Sequence, residues 1–541
     1  MIKHLLLSFS FIICLCSCTE EAQHSSKAAK YNRADATTSP DASKILALYA
    51  YGLAITKSYD CTDPSSWYYQ GSMHSVPTPD EMGGGIDSLC AAHNTGETYR
   101  AWNSCPHMKP TEMQLNFLTW HRLYIYYNER NIRHQIANGG GGYEGLGEEV
   151  AAQFSLPYWD YTNQGYLPEP FRTKDYTYKD VDLSVDNPLY ESGRSKTLLA
   201  GEPIDYEAQD SVGINVDGKF KRVCLNSMQQ ALDYDKLLAI NDVSEFSRAL
   251  EDRMHNIIHN YVGGKVEPED TMSSIYNRIY QTAKKGYGLM ANVPTAGFDP
   301  IFFLHHANID RMYAAWEALY GPITMEDMNS YGGTWDDIKE MYQFWDAPSE
   351  SWITYNSMQE MLDAVHSVDY DYQFLPEPAD MESNDRDDLS KAHAYTFGQE
   401  DLILLDSLGD AFEIDLSIIS DLKNEDKEYK LEIDLAFGAD MYQHLLVFTV
   451  PPNHDWSICD LDLDFIHSVS SFFGSTHAMH AHHHGHGAKG QEFRQQLLID
   501  ITKAVQSLPA DETMLDVYIA PMHIKDGPDF YVKQVSLYEY K

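Results

Sequence analysis

Residues Asp299 to Arg311 read Asp-Pro-Ile-Phe-Phe-Leu-His-His-Ala-Asn-Ile-Asp-Arg, and this block constrains the chain more than any other stretch. Asp299 followed by Pro300 marks a helix start: an N-cap acid, then a proline whose missing N–H is no loss in the first turn. The helix that follows is apolar, yet it carries two adjacent histidines, His305 and His306. An imidazole in such surroundings is costly unless it is neutral and bound to something. Any fold for this chain must bury that helix and also bring partners to its histidines.

Two further segments offer those partners. Residues 244–261 are predicted as a helix with Glu251, His255, Ile258 and His259 on one face, because their spacings are three and four. His255 and His259 are about one turn apart and can point at a single metal ion. The zinc-hydrolase pattern needs Glu where this chain has Asn256, which disfavours that chemistry. Earlier, Thr111-Glu112-Met113-Gln114 has the capping-box pattern, and the helix expected after it places Phe117, His121 and Tyr124 together. Neutral imidazole suits copper, which heads the affinity order for nitrogen sites. The Glu-x-x-His pairs of a di-iron bundle are not evident.

The rest of the chain divides by pattern. Residues 45–376 carry helical periodicity between long loops. From 395 to 541, Tyr429 to Phe437, His444 to Val450, Leu497 to Ile501, Met514 to Ala520 and Tyr531 to Tyr540 read as short strands bounded by turn residues, which suggests an all-β sandwich. A linker rich in Pro, Asp, Glu and Ser, residues 377–394, separates the two. The expected fold is multidomain, a mainly-α domain followed by a β-sandwich. With 81 acidic against 39 basic residues the formal net charge is −42, a surface that repels nucleic acid and anionic membranes.

At the N-terminus Lys3 and His4 precede an apolar stretch, Leu5 to Leu15, too short to span a bilayer. It ends in Leu15-Cys16-Ser17-Cys18, which resembles the lipobox of bacterial lipoproteins and implies cleavage before Cys18 and lipidation of its thiol; a plain secretory signal is the alternative. Residues 1–18 are thus read as a signal peptide and 19–44 as a flexible tether. Both readings put the mature protein outside the cytoplasm, and the lipobox reading puts it in the cell envelope. Cys61, Cys90, Cys105, Cys224 and Cys459 remain, an odd number for an oxidising compartment, so one has another task. Cys61 and Cys90 flank a loop and are able to pair.

Phe117-Leu118-Thr119-Trp120-His121-Arg122, Leu156-Pro157-Tyr158-Trp159-Asp160, His255-Asn256-Ile257-Ile258-His259 and the Asp299 to Arg311 block, in this order, resemble a tyrosinase, and more broadly the type-3 copper proteins: tyrosinases, polyphenol and catechol oxidases, and molluscan haemocyanins. The resemblance implies a four-helix bundle in the domain of residues 45–376, holding two copper ions through three histidines each, with O2 as co-substrate. It assigns His255, His259 and His306 to the second copper and leaves His305 as packing or support. To the first it assigns His74, His107 and His121, with His93 as a competitor that matches no motif. Between His107 and His121 the chain has several more residues than the family usually shows, which makes His107 the least secure of the six. Relatives with cysteine at the position of Cys105 often join it to that histidine by a thioether; a free or disulfide-bonded Cys105 is the alternative.

The resemblance also implies activity. A Glu and an Asn placed like Glu251 and Asn256 hold a water that deprotonates a phenol, and a carboxylate in a partly buried pocket is brought into range as a general base; the plain alternative for Glu251 is a helix-surface acid. Val293 stands where many plant catechol oxidases carry a Phe over one copper, so the entrance is expected to be open. Asn260 lies where selectivity is often set. The expected reaction is ortho-hydroxylation of monophenols and oxidation of o-diphenols to o-quinones, with a catechol oxidase or an O2 carrier of haemocyanin type as alternatives. Tyr370-Asp371-Tyr372 resembles the tyrosine motif that closes the catalytic domain, and the β domain resembles the one that shields the site in plant polyphenol oxidases until a protease removes it. The histidines from His477 to His486 are either a loose Cu or Zn site or a solvated loop.

Overall fold

The computed structural model describes residues 31–76, 99–106, 113–162, 165–205 except 184, 210–264 with short breaks, and 288–377. Beyond them it describes 393–397, 403–405, 410–419, 422, 427–438, 444–450, 466–470, 492–510, 512–522 and 530–540. Cys18, Cys90, His93, His107, Cys459, the His477–His486 tract and nearly all of the linker lie outside the described residues, as does the side chain of Cys224.

Six helices carry the first core: α1 (Ala42–Lys57), α2 (Trp67–His74), α3 (Asn116–Asn138), α4 (Val243–Ala249), α5 (Asn256–Gly263) and α6 (Ile301–Tyr320). Their ends follow local chemistry. Ser66 Oγ accepts the Tyr69 N–H at 3.0 Å to start α2, and Asp242 Oδ1 accepts from Glu245 at 2.8 Å to start α4. Asp299, expected as the N-cap, stands one residue earlier, since Pro300 is the N-cap of α6; Asp299 Oδ1 still accepts from Ile301 N at 3.1 Å. Gly139 (φ 73°) and Gly321 (φ 83°) end α3 and α6 in backbone conformations that other residues rarely adopt. Helix α3 packs against both α1 and α6, and Trp120, Trp159 and Trp316 are fully buried in the resulting core.

Three expectations change at this level. The helix expected over 244–261 is continuous in direction but not in type: between α4 and α5, residues Leu250–His255 form a π-turn, which widens the spacing at Glu251. The helix expected after Thr111–Gln114 begins at Asn116, with no side-chain cap; Thr111 and Glu112 lie outside the described residues, and Gln114 is buried. The tether expected over 19–44 ends sooner, because Tyr31–Arg33 is a strand paired in parallel with Tyr370–Tyr372. Arg33 is fully buried there, with its guanidinium 3.4 Å from the centre of the Tyr370 ring.

The C-terminal region holds two antiparallel sheets. One has the strand order Ile403–Leu405, Phe530–Tyr540, Glu428–Gly438, Glu492–Asp500, with His393–Phe397 also paired to Phe530–Tyr540. The other runs Asp410–Asp415, Met514–Met522, His444–Thr449, Ile466–Ser470. Inward residues of both, among them Leu431, Ile433, Leu497, Val517 and Leu537, form one apolar cluster separate from the helical core. Among the described residues no helix is long and apolar enough to cross a membrane.

Candidate metal centre

The end of the π-turn, α5 and α6 bring four imidazoles together. The possible ligand atoms of His255, His259, His305 and His306 all lie within 4.8 Å of one another, and all four residues are buried. A second group, His74, Cys105 and His121, meets the same criterion. The groups adjoin, with the rings of His121 and His306 stacked at 4.4 Å between centres. Of the six expected ligands, His74, His121, His255, His259 and His306 therefore meet in one buried cluster, and His107 is outside the described residues. His305, expected as packing, stands in the cluster as well.

The first group is assembled by the backbone. Residues 103–105 run onto the end of α2, with Asn103, Ser104 and Cys105 donating their N–H groups to the carbonyls of Ser72, Met73 and His74 at 3.0, 2.9 and 3.3 Å. These bonds satisfy the helix's last acceptors and set Cys105 beside His74. The turn is possible because Ala101 and Asn103 take positive φ, 62° and 56°, and Asn103 Oδ1 accepts the Val76 N–H at 2.6 Å. Gly71 is required one turn before His74, since a Cβ there would meet Phe298 at 2.7 Å and the Gly297 carbonyl at 2.9 Å. Cys105 Sγ lies 3.3 Å from Nε2 of His121. Cys61 is disulfide-bonded.

The imidazoles are oriented for a metal. His121 Nδ1 is 2.7 Å from the Phe117 carbonyl, His259 Nδ1 is 2.8 Å from the Met290 carbonyl, and His255 Nδ1 is 2.9 Å from Asn256 Oδ1. An acceptor at Nδ1 fixes the proton there and leaves Nε2 as the lone-pair nitrogen, the arrangement that metal-binding histidines use. Nε2 of His259 faces Nε2 of His306 at 3.3 Å. Burial holds His305 neutral, its pKa pushed down to about 3. Burial, and then the neighbouring imidazoles, do the same to His306. Neutral, buried nitrogens of this kind fit copper ions.

Around them the other expected residues take their places. Glu251 is 2% exposed, so it is not a helix-surface acid, and its Oε2 accepts from Gln114 Nε2 at 2.8 Å. Asn256 Nδ2 makes no hydrogen bond among the described residues. Val293 opens a short helix three residues past Met290 and is buried, as is Asn260. Asp310 ties the two halves together: its carboxylate takes Arg122 of α3 at 2.6 Å and the hydroxyls of Tyr370 and Tyr372 at 2.5 and 2.6 Å. Burial alone would raise its pKa, but Arg122 and Arg33 with the two hydroxyls hold it below the ordinary value. Asp160, of the Leu156–Asp160 motif, pairs with Arg311 at 2.9 Å, and Trp159 N bonds the Leu304 carbonyl at 3.2 Å, which fixes α6 from its outer side. Gln114 was missed as a site residue, because its capping-box context masked it.

The β region lies against this centre. Strand Ile466–Ser470 packs on Leu250–His255 and on α5. Arg248 pairs with Glu432 at 3.5 Å, and Lys430 pairs with Glu245.

Comparisons with known proteins agree with the geometry. The family described as the common central domain of tyrosinase matches residues 64–319. Tyrosinase HcTyr1 of a Hahella species is 25% identical over 314 residues, 56% of this chain and 55% of the relative. The chloroplastic polyphenol oxidase of Vitis vinifera is 24% identical over 345 residues, 62% of this chain and 46% of the relative. The chain thus spans about half the length of the curated relatives it matches. Among solved structures, latent apple tyrosinase superposes with a TM-score of 0.57 at 18% identity, covering 95% of this chain and 98% of that one, a likeness of fold.

Proposed function

We propose that this chain, whose residues 64–319 belong to the tyrosinase family, is a dicopper enzyme that uses O2 to ortho-hydroxylate monophenols and to oxidise o-diphenols to o-quinones. The observation that carries the reading is the buried cluster of His74, His121, His255, His259 and His306, with Nδ1 of three of the five backed by an acceptor. His74, His107 and His121 would hold one copper ion, and His255, His259 and His306 the other, in what we read as a four-helix bundle. Bound there, the pair would supply the redox chemistry that reduces O2 and oxidises the phenol.

The chain's own groups do the rest. Glu251 accepts the phenolic proton, through a water that the Asn256 amide is placed to hold, and general-base catalysis of this kind contributes about 10² to 10⁴ in rate. Burial of the cluster excludes bulk water and strengthens each of these contacts. A small side chain at Val293 leaves room for a ring, and Asn260 lines the same turn of α5.

We read residues 45–376, with the short strand at 31–33, as the catalytic domain, 377–394 as an acidic linker, and 395–541 as a β-sandwich that shields the site. The packing of strand Ile466–Ser470 on the segment that bears Glu251 and His255 supports shielding, and a protease acting in the linker would relieve it. Cys105 is proposed to form a thioether with His107, and Cys18 a lipid anchor that places the protein in the cell envelope. The test is O2 uptake by the copper-loaded full chain, before and after limited proteolysis, with a monophenol and then the matching catechol. Uptake with both, rising on cleavage, is expected. Uptake with catechol alone leaves a catechol oxidase, and uptake with neither despite bound copper leaves an O2 carrier.

A further inference from the structure

Just before α3 the chain places Gln114 inside the site. Gln114 is 4% exposed and donates through Nε2 to Oε2 of Glu251, 137 positions away along the chain. Its backbone is held from both sides. Its carbonyl accepts the Ser247 hydroxyl of α4 at 3.1 Å and the Phe117 N–H of α3 at 3.2 Å. The next residues are fixed as well: Leu115 N bonds the Tyr331 carbonyl at 3.1 Å, and Asn116 Nδ2 the Gly332 carbonyl at 2.9 Å. Three residues on, the Phe117 carbonyl takes Nδ1 of His121, and the Phe117 ring meets His255 at 5.0 Å. Residues 114–117 therefore bridge the helix that bears His121 to the segment that bears Glu251 and His255.

We propose that Gln114 is a positioning residue that sets the plane of the Glu251 carboxylate, and so decides how well it takes the proton of an incoming phenol. This rests on Glu251 acting as the base. A π-turn widens the backbone at Glu251, and the Gln114 amide reaches its carboxylate from outside that turn. An amide suits the task because it donates without bringing a charge. A lysine there would bind the carboxylate as an ion pair and draw it away from the substrate, whereas Gln114 fixes one oxygen and adds no charge. The proton passes from the phenol oxygen, by way of water, to the carboxylate; no electrons move in this step.

The test compares Gln114→Leu, Gln114→Met and Gln114→Glu with Glu251→Gln in the copper-loaded full chain. Copper content and Tm serve as controls, and kcat and KM are measured separately across pH for a monophenol and its catechol. For Gln114→Leu and Gln114→Met we expect kcat with the monophenol to fall about tenfold, with a smaller loss for the catechol, whose hydroxyl gives up its proton more readily. Gln114→Glu sets a second carboxylate against Glu251, and like charges disfavour each other's ionisation. The acid limb of its kcat/KM profile should move up by about one pH unit, which identifies the titrating group as the carboxylate beside residue 114. Copper loss, or equal losses with both substrates at an unmoved pH profile, overturns the proposal and leaves Gln114 as packing. If Glu251→Gln leaves the monophenol-to-catechol ratio unchanged, the base role itself fails. If Glu251→Gln lowers that ratio while every Gln114 variant keeps it, only the positioning role fails.

Discussion

The two halves of the metal centre are made in different ways. The second draws its imidazoles from two segments, His255 at the end of the π-turn with His259 one turn on in α5, and His305 and His306 side by side on α6, so local spacing and the packing of two segments bring them together. The first draws on three separate stretches: the end of α2, the turn at 103–105, and the second turn of α3. No helical period links those stretches. Their meeting depends on backbone bonds between distant segments and on two residues with positive φ. A half-site built from rigid neighbours tolerates disturbance elsewhere, whereas one built from a turn is only as secure as that turn.

Metal content tests this contrast most directly. His259→Ala should remove the second copper and abolish turnover while leaving the first half-site able to bind, and His74→Ala should do the reverse; counting copper per chain by elemental analysis distinguishes them. Equal loss of both ions in both variants would mean that the halves are not independent.

Asp310→Asn attacks what the halves share. Breaking a buried ion pair on one side commonly costs about 3 to 5 kcal/mol, and Asp310 joins α3 to α6 with 3% exposure. Both half-sites should lose metal together, and Tm should fall. The pH dependence follows from the depressed pKa of Asp310. Its contribution is complete above the unfolded carboxylate value and is lost as pH falls through the lower folded one. Acid unfolding of the wild type should therefore carry a component that the Asn variant lacks, visible when Tm is followed below about pH 4.

The smallest effect isolates the turn. Asn103→Val puts a β-branched residue at φ 56° and removes the acceptor for Val76 N–H. A left-handed conformation costs such a residue about 1 to 2 kcal/mol. Copper affinity should weaken at the first half-site and hold at the second, as a competitive chelator titration would show.

The same contrast explains what the sequence made legible. The second half-site could be read because the spacing of His255 and His259 and the apolar run around His306 are local patterns. Five strands of the C-terminal region were legible for the same reason, and Tyr429 to Phe437 differs from the observed Glu428–Gly438 by one residue at each end. The π-turn at Leu250–His255 was not, because a helical pattern with one extra residue per turn still looks helical over so short a span. Strand Tyr31–Arg33 is only three residues long, and it owes its place to a partner more than three hundred positions away. Gln114 fits a capping box in sequence, but burial beside Glu251 gives its amide a partner that no local pattern announces.

The pairing of Tyr31–Arg33 with Tyr370–Tyr372 has a mechanical consequence. The strands are parallel, with Tyr31 N bonded to the Asp369 carbonyl and Gln373 N to that of Arg33, so the chain enters at one end of the pair and leaves at the other. Tension applied through residues 30 and 377 loads these bonds in shear, all at once, and Arg33 anchors the clasp to Glu129 and Asp310 beneath it. The helical core is in effect a closed loop, and force on its two exits is borne at the buckle before it reaches the histidines.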